Sequence, residues 1–439
     1  MGSLLVKNGT AIVNGVSVNT DVLIENGIIS KIGCCLNGNG IKELDAGGLY
    51  VLPGLIDEHV HLREPGLTYK EDFGSGTSAA AAGGMTLVLD MPNTLPPTDS
   101  AERLIEKKEI VGRKSHVDYG LYGLVRDTSE VTEVIRMINS GCIGFKSYMG
   151  PTTGNIPAPS HGTLYTILNA LSEADVPLVV HAEDDGLIKL FTEKANKSDI
   201  LSHLNSRPYV CETFSVGELA SLSEYTGAHV HVAHVSSAKT VKIIGWAKMN
   251  GIKLTGEVTP HHLFLGSKIY DTAGNLAKIN PPIRSEEDGK ALLNAVSNGI
   301  ISTVASDHSP HTVEEKIGDS PPSGFPGLET ELPLMLDAVN AGKLGLSDVV
   351  RLMSENVARL FGIYPQYGSL LPGARGNITI ISLNSRAKIN AEKFYSKAKY
   401  SPFDGMELKG KVVYTVVGGE TVYDGEVHDD IIGEFVKGK

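Results

Sequence analysis

Short apolar runs rich in β-branched residues alternate with longer amphipathic segments through the middle of the chain. Eight runs predict strands: Leu52–Val60, Met85–Met91, His116–Val125, Cys142–Met149, Pro177–His181, His229–Val235, Lys253–Leu265 and Ile300–Asp307. Between them, Asp72–Ala82, Ser100–Val111, Glu130–Asn139, Leu164–Ala174, Phe214–Thr226 and Ala238–Met249 predict helices. Such alternation predicts a parallel sheet with crossover helices. Eight units predict a closed barrel whose active site lies at the carboxyl ends of the strands. A doubly wound open sheet would instead gather its ligands at one switch point.

The two ends follow another pattern. Leu4–Val6, Thr10–Val13 and Asp21–Glu25 are short strand-like runs broken by Asn8-Gly9, Asn14-Gly15 and Asn26-Gly27, which predicts hairpins. Gly376–Ile381 and Lys411–Gly419 behave alike. The two ends are expected to meet in one small β domain over residues 1–51 and 365–439, beside a barrel over 52–364.

Chemistry concentrates at the strand ends. Leu52-Pro53-Gly54-Leu55-Ile56 reads as the buried body of the first strand, followed by Asp57-Glu58-His59-Val60-His61-Leu62-Arg63-Glu64-Pro65-Gly66. Side chains two apart on a strand share a face, so His59, His61 and Arg63 are expected to line up. Two imidazoles so placed suit one divalent metal, and a guanidinium beside them suits a carboxylate. A lone histidine closing a buried strand is more often a hydrogen-bonded core residue. Here Lys146, His181, His234 and Asp307 each stand at the end of a further apolar run. Four such ends beside a His-x-His pair point to a metal site.

Composition permits this and removes other classes. The chain has 439 residues, 41% hydrophobic and 21% charged, enough for a barrel of about 250 residues or more plus a smaller unit. A formal net charge of −12, with no basic stripe, argues against a nucleic-acid surface. No apolar run approaches the roughly 18 residues of a membrane span, and Met1–Lys7 lacks the apolar core of a secretory signal. The four cysteines, Cys34, Cys35, Cys142 and Cys211, show no zinc-knuckle spacing, and adjacent Cys34-Cys35 is a poor disulfide pair. The expected setting is therefore reduced and cytoplasmic, with no membrane or nucleic-acid partner.

Several segments together resemble the amidohydrolase superfamily, within it the branch of dihydroorotases, allantoinases and hydantoinases. They are His-Val-His-Leu-Arg-Glu-Pro-Gly (59–66), Asp-Met-Pro-Asn-Thr (90–94), Gly-Phe-Lys (144–146), His-Ala-Glu (181–183), His-Val-Ser-Ser (234–237), Thr-Pro-His-His-Leu (259–263), Asp-His-Ser-Pro-His (307–311) and Pro-Gly-Leu-Glu-Thr (326–330). The likeness covers nearly the whole chain. It implies an α/β fold, a TIM-like (β/α)8 metal-dependent hydrolase barrel with a small β-sandwich domain built from both termini. It also implies two Zn2+ per subunit: His59, His61 and Asp307 hold one, His181 and His234 the other. Lys146 matches the position of a carboxylated lysine that bridges both. A metal-activated hydroxide then attacks a cyclic amide, with Asp307 as general base and then acid.

Within that branch the likeness favours dihydroorotase, the reversible cyclisation of N-carbamoyl-L-aspartate to L-dihydroorotate in de novo pyrimidine biosynthesis. Arg63, Asn93 and His311 match positions that bind the substrate carboxylate, and Asn280 a position that contacts the ring. The loop 322–327 resembles a ring-binding region. A homodimer is implied at family level, and docking on aspartate transcarbamoylase stays open. The alternatives are an allantoinase, a hydantoinase or dihydropyrimidinase, or an inactive scaffold. Arg63 and Asn93 speak against the first group, and the retained ligand set against the last. His261 and His262 are expected in structural roles, Glu183 and Asp184 either beside His181 or as loop carboxylates, and 152–157 as a mobile rim.

Overall fold

The computed structural model describes residues 2–151, 156–195 and 201–438. Five strands open the chain: β1 (Leu4–Val13), β2 (Val16–Glu25), β3 (Ile28–Gly33), β4 (Lys42–Asp45) and β5 (Tyr50–Pro53). Eight follow: β6 (Leu55–Val60), β7 (Met85–Asp90), β8 (Asp118–Leu124), β9 (Gly144–Tyr148), β10 (Leu178–His181), β11 (Val230–Val232), β12 (Leu254–Val258) and β13 (Thr303–Val304). Three close it: β14 (Ile378–Lys388), β15 (Glu407–Val417) and β16 (Glu420–Tyr423).

Strands β6 to β13 form one parallel sheet in sequence order. A parallel bridge between Val60 and His308, with His61 N–H donating to His308 O at 2.8 Å, brings its edges together into a nearly closed barrel. The remaining eight strands form a separate sandwich-like sheet in the order β16-β15-β14-β5-β1-β2-β3, with β4 paired to β1. Strands from both ends of the chain thus meet there, around a core that includes Leu4, Val22, Ile24, Ile378 and Val416. The helices expected between barrel strands are present, the first over Phe73–Ala82 with Asp72 capping it through Ser75 N–H. No helix among the described residues is long and apolar enough to cross a membrane.

Three expectations about elements are corrected. The strand expected over Leu52–Val60 is two strands that belong to different sheets. β5 pairs with β14 and β6 with β7, and Gly54 carries the chain between them. A Cβ at Gly54 would collide with Thr86 and Asn377, so the two sheets can approach this closely only over a glycine. The strand expected over Lys253–Leu265 stops at Val258, because Thr259 caps a short helix with proline at its start, Pro260–Phe264. Asn8-Gly9 is not a turn: it makes a bulge inside β1, where the register with β2 shifts between Val6 and Gly9. Asn14-Gly15 and Asn26-Gly27, with φ of 50°, 76°, 52° and 81°, are two-residue hairpin turns as expected. Of the rim expected over 152–157, residues 152–155 lie outside the described residues.

Candidate active site

His59 lies in β6, but the strand ends at Val60, so strand alternation does not carry the line of side chains onward as expected. His61 is fixed by its N–H to His308 O. Leu62 N–H donates to Asp90 Oδ1 at 2.7 Å, and Asp90 is itself paired with Lys107 at 2.5 Å. Arg63 is then turned toward the pocket by a φ of +63°. His234 (+37°) and Asp307 (+46°) also sit in the left-handed region, which costs a non-glycine residue about 1–3 kcal/mol. Three candidate site residues therefore carry backbone strain that the surrounding hydrogen bonds must offset.

Five strand ends around the barrel bring the expected ligands together. One ligand atom from each of His59, His61 and Asp307 lies within 4.8 Å of the others, all three residues buried. The Nε2 atoms of His59 and His61 are each 3.5 Å from Asp307 Oδ1, which also accepts from Ser309 Oγ at 3.0 Å. The far nitrogens are engaged behind: His59 Nδ1 donates to Glu257 Oε1, and His61 Nδ1 donates to Asn93 Oδ1 at 2.7 Å. Both rings thus turn Nε2 inward. His181 Nε2 donates to Glu183 at 3.1 Å, leaving Nδ1 facing His234 Nε2 at 3.0 Å, and His234 Nδ1 is buried with no partner. Lone pairs, an anionic oxygen and an orphaned ring nitrogen turned toward one space fit divalent cations.

Lys146 extends from β9 into the same space, its Nζ 3.3 Å from His59 Nε2, with no measurable exposure. Burial lowers its amine to about 8, against the pull of Glu257, Asp307 and Glu58. A substantial neutral fraction is the form that reacts with carbon dioxide. Asp307 is held well below the usual carboxylate range: burial opposes this, but His59, His61 and His234 outweigh it.

One wall of the pocket is cationic. Arg63 is 2% exposed, and no carboxylate of the described residues lies within ion-pair distance of it. Its Nε donates to Pro310 O at 3.2 Å, and Nη2 lies 3.3 Å from His311 Nε2. Lys70, which can only donate, reaches His311 Nδ1 at 3.0 Å, so the ring proton sits on Nε2 and is donated to Ser323 O at 3.2 Å. His311 is fully buried behind Arg63, whereas Asn93, Asn280, Tyr148, Ser323 and Gly324 line the pocket directly. The Tyr148 hydroxyl and Asn280 Oδ1 are buried without partners. Lys316 holds the 322–327 loop by donating to Lys278 O, Pro322 O and Gly324 O at 3.0, 3.0 and 2.9 Å.

Other residues separate into those the sequence reading weighed and those it missed. His262 has both nitrogens occupied, by Thr259 at 2.7 Å and Pro281 O at 3.1 Å, and His261 stacks edge-on against Phe325. Glu183 is no solvated carboxylate: it is buried and paired with both His181 and Arg207. Asp184 caps the helix Asp185–Lys194. Glu257, Tyr148, Lys70 and Arg207 were not anticipated. The signal for Glu257 was a charged residue inside the buried run Leu254–Val258.

A family model described as the amidohydrolase family matches residues 50–422, and the chain belongs to that family. Among curated relatives, it is 39% identical over 391 residues to a dihydroorotase of Methanothermobacter thermautotrophicus, covering 88% of this chain and 87% of that one. It is 36% identical over 429 residues to a dihydroorotase of Aquifex aeolicus, covering 96% and 100%. Among solved structures it resembles the L-hydantoinase (dihydropyrimidinase) from Arthrobacter aurescens, at a TM-score of 0.96 and 34% identity over the full length of both chains. Dihydropyrimidinase from Brevibacillus agri follows at 0.94 and 28%, covering 100% of this chain and 99% of that one.

Proposed function

We propose that the protein is a zinc-dependent dihydroorotase, interconverting N-carbamoyl-L-aspartate and L-dihydroorotate in cytoplasmic de novo pyrimidine synthesis. The observation that carries the choice of substrate is Arg63: a buried guanidinium on the pocket wall with no acidic partner among the described residues. Such a group calls for an anion from outside the chain. Dihydroorotate carries a carboxylate on a ring carbon, which is the α-carboxylate of the open-chain carbamoyl-aspartate, and hydantoin and allantoin carry none. Arg63 lines the pocket with Asn93 beside it, and His311 stands behind the guanidinium; together Arg63 and Asn93 suit that carboxylate.

His59, His61 and Asp307 would hold one zinc, and His181 and His234 the other. Lys146, after its neutral amine adds to carbon dioxide and loses a proton, would bridge the two. Bound there, the pair would supply Lewis acidity and a water acidified to near neutral pH. Asp307, kept ionised by the imidazoles around it, takes the proton of the attacking water and returns it to the departing ring nitrogen. The unpartnered Tyr148 hydroxyl and Asn280 carboxamide oxygen face the space where the ring amide would lie.

The likeness to hydantoinase structures favours a second reading, a hydrolase of cyclic amides that lack the carboxylate. Ring opening of L-dihydroorotate, dihydrouracil, hydantoin and allantoin by metal-replete protein in bicarbonate decides between them. Turnover of dihydroorotate that collapses in Arg63→Met supports the first. Turnover of hydantoin or dihydrouracil alone sinks the substrate assignment.

A further inference from the structure

Beneath the candidate ligands the barrel interior is polar where a packed apolar layer would be usual. Glu58 of β6, His231 of β11 and Glu257 of β12 are at most 1% exposed, with one ligand atom of each within 4.8 Å of the others. His231 Nε2 lies 3.3 Å from Glu58 Oε1 and 3.8 Å from Glu257 Oε2, and its Nδ1 pairs with Thr255 Oγ1 at 2.7 Å. Thr303 Oγ1 donates to Glu58. An imidazolium between two carboxylates supplies the counter-charge that a further cation would otherwise bring.

The other oxygen of Glu257 is the more informative. Glu257 Oε1 accepts from His59 Nδ1 and also from the backbone N–H of His234, at 3.0 Å. Glu257 also tethers the next residue through its backbone, Val235 N–H donating to Glu257 O at 2.9 Å. One buried carboxylate oxygen thus touches a candidate ligand from each of the two metal positions. It fixes the tautomer and the tilt of the His59 ring, and it pins the strained left-handed backbone of His234. Glu183 offers a contrast, because it engages His181 alone among the candidate ligands.

We propose that Glu257, braced by His231 and Glu58, is a positioning residue for the whole metal centre, so that the two positions are organised and filled together. This inference rests on reading His59, His61, Lys146, His181, His234 and Asp307 as metal ligands. Removing a carboxylate that orients a ligating histidine typically weakens metal binding by about 10–100-fold. Glu257 should do so at both positions.

The test is Co2+ binding to metal-stripped protein in bicarbonate, by chelator competition and by the visible spectrum of the bound ion. The melting temperature of the metal-free form is measured alongside. Glu257→Gln keeps the shape and one acceptor oxygen but removes the charge. The expected result is about 10–100-fold weaker affinity for both equivalents and an altered cobalt spectrum. Glu183→Gln is expected to weaken one equivalent. His231→Asn, which leaves Glu257 in place but removes its brace, is expected to weaken both by a smaller factor, and it decides the matter if Glu257→Gln does not fold. Unchanged affinity and spectrum in the folded variants overturn the proposal, as does an effect of Glu257→Gln on one equivalent only. Failure of the unaltered protein to take up two equivalents overturns the metal reading itself, a different outcome.

Discussion

The proposed choice of substrate rests on one side chain, Arg63. Its charge is buried at the pocket wall, with one hydrogen bond to Pro310 O and no acidic partner among the described residues. A desolvated, charge-assisted hydrogen bond is worth about 1.5–3 kcal/mol. Arg63→Met should therefore lower kcat/KM for dihydroorotate by about 10- to 100-fold, with metal content unchanged. Arg63→Lys should not restore it, because a point charge lacks the fork that grips a carboxylate. His231 gives a second prediction at this scale. Burial disfavours its charge, but Glu58 and Glu257 outweigh that and raise it from 6.5 to about 9. The folded state thus holds the proton more tightly than the unfolded chain. Stability from this source is complete below about pH 6.5 and is lost as pH rises through about 9. At 1.36 kcal/mol per unit the loss is at most about 3 kcal/mol. Lys146 and Lys316, lowered by burial to about 8 and about 7, act in the opposite sense over this range. The His231 contribution is therefore read as the difference between unaltered protein and His231→Asn in denaturant titrations of metal-free protein at pH 6 and pH 9.5. The convergence of the candidate ligands was legible because each ends an apolar run. Glu58 and Glu257 were not, because a carboxylate inside a buried strand has no meaning until the residue facing it is known.

At the scale of elements, the junction between the sheets is the most constrained point. Gly54 passes between Thr86 and Asn377 with no room for a methyl group. Gly54→Ala should cost about 1–3 kcal/mol, as overpacking of a tight site does. Thermal unfolding would measure it, while Gly15→Ala, with open space around it, should show only the smaller cost of its positive φ. The same junction explains why one apolar run was read as one strand. Leu52 to Ile56 is continuously hydrophobic, and periodicity carries no mark of a change of sheet. Asn8-Gly9 and Asn14-Gly15 look identical in sequence yet become a bulge and a turn, because β2 continues alongside β1 past the first pair. The barrel strands and their helices were legible because burial on both faces makes parallel strands uniformly apolar. The end of β12 was harder, since Thr259-Pro260 had to be seen as a helix start rather than as more strand.

The whole molecule ties these scales together through the distribution of its candidate ligands. His59, Lys146 and His181 belong to β6, β9 and β10, and His234 and Asp307 to the segments after β11 and β13, so they encircle the barrel rather than cluster on one unit. In the absence of metal, their inward nitrogens and the Asp307 carboxylate face one another across a buried space, and two of these residues, His234 and Asp307, hold strained backbones. A metal pair would bind the folded barrel and not the unfolded chain, so it must raise stability by mass action. At free zinc about 1,000-fold above the dissociation constant, one site contributes about 4 kcal/mol. Melting temperature should therefore climb with zinc in bicarbonate and fall back on chelation. Lys146→Ala removes the proposed bridge between the two positions, and its melting temperature should respond to zinc far less, even where the metal-free form is equally stable. A melting temperature that ignores zinc in the unaltered protein, with dihydroorotate turnover intact, would break the link between this ring of ligands and the reaction. A zinc response that Lys146→Ala retains in full would show that the two positions fill without a bridge.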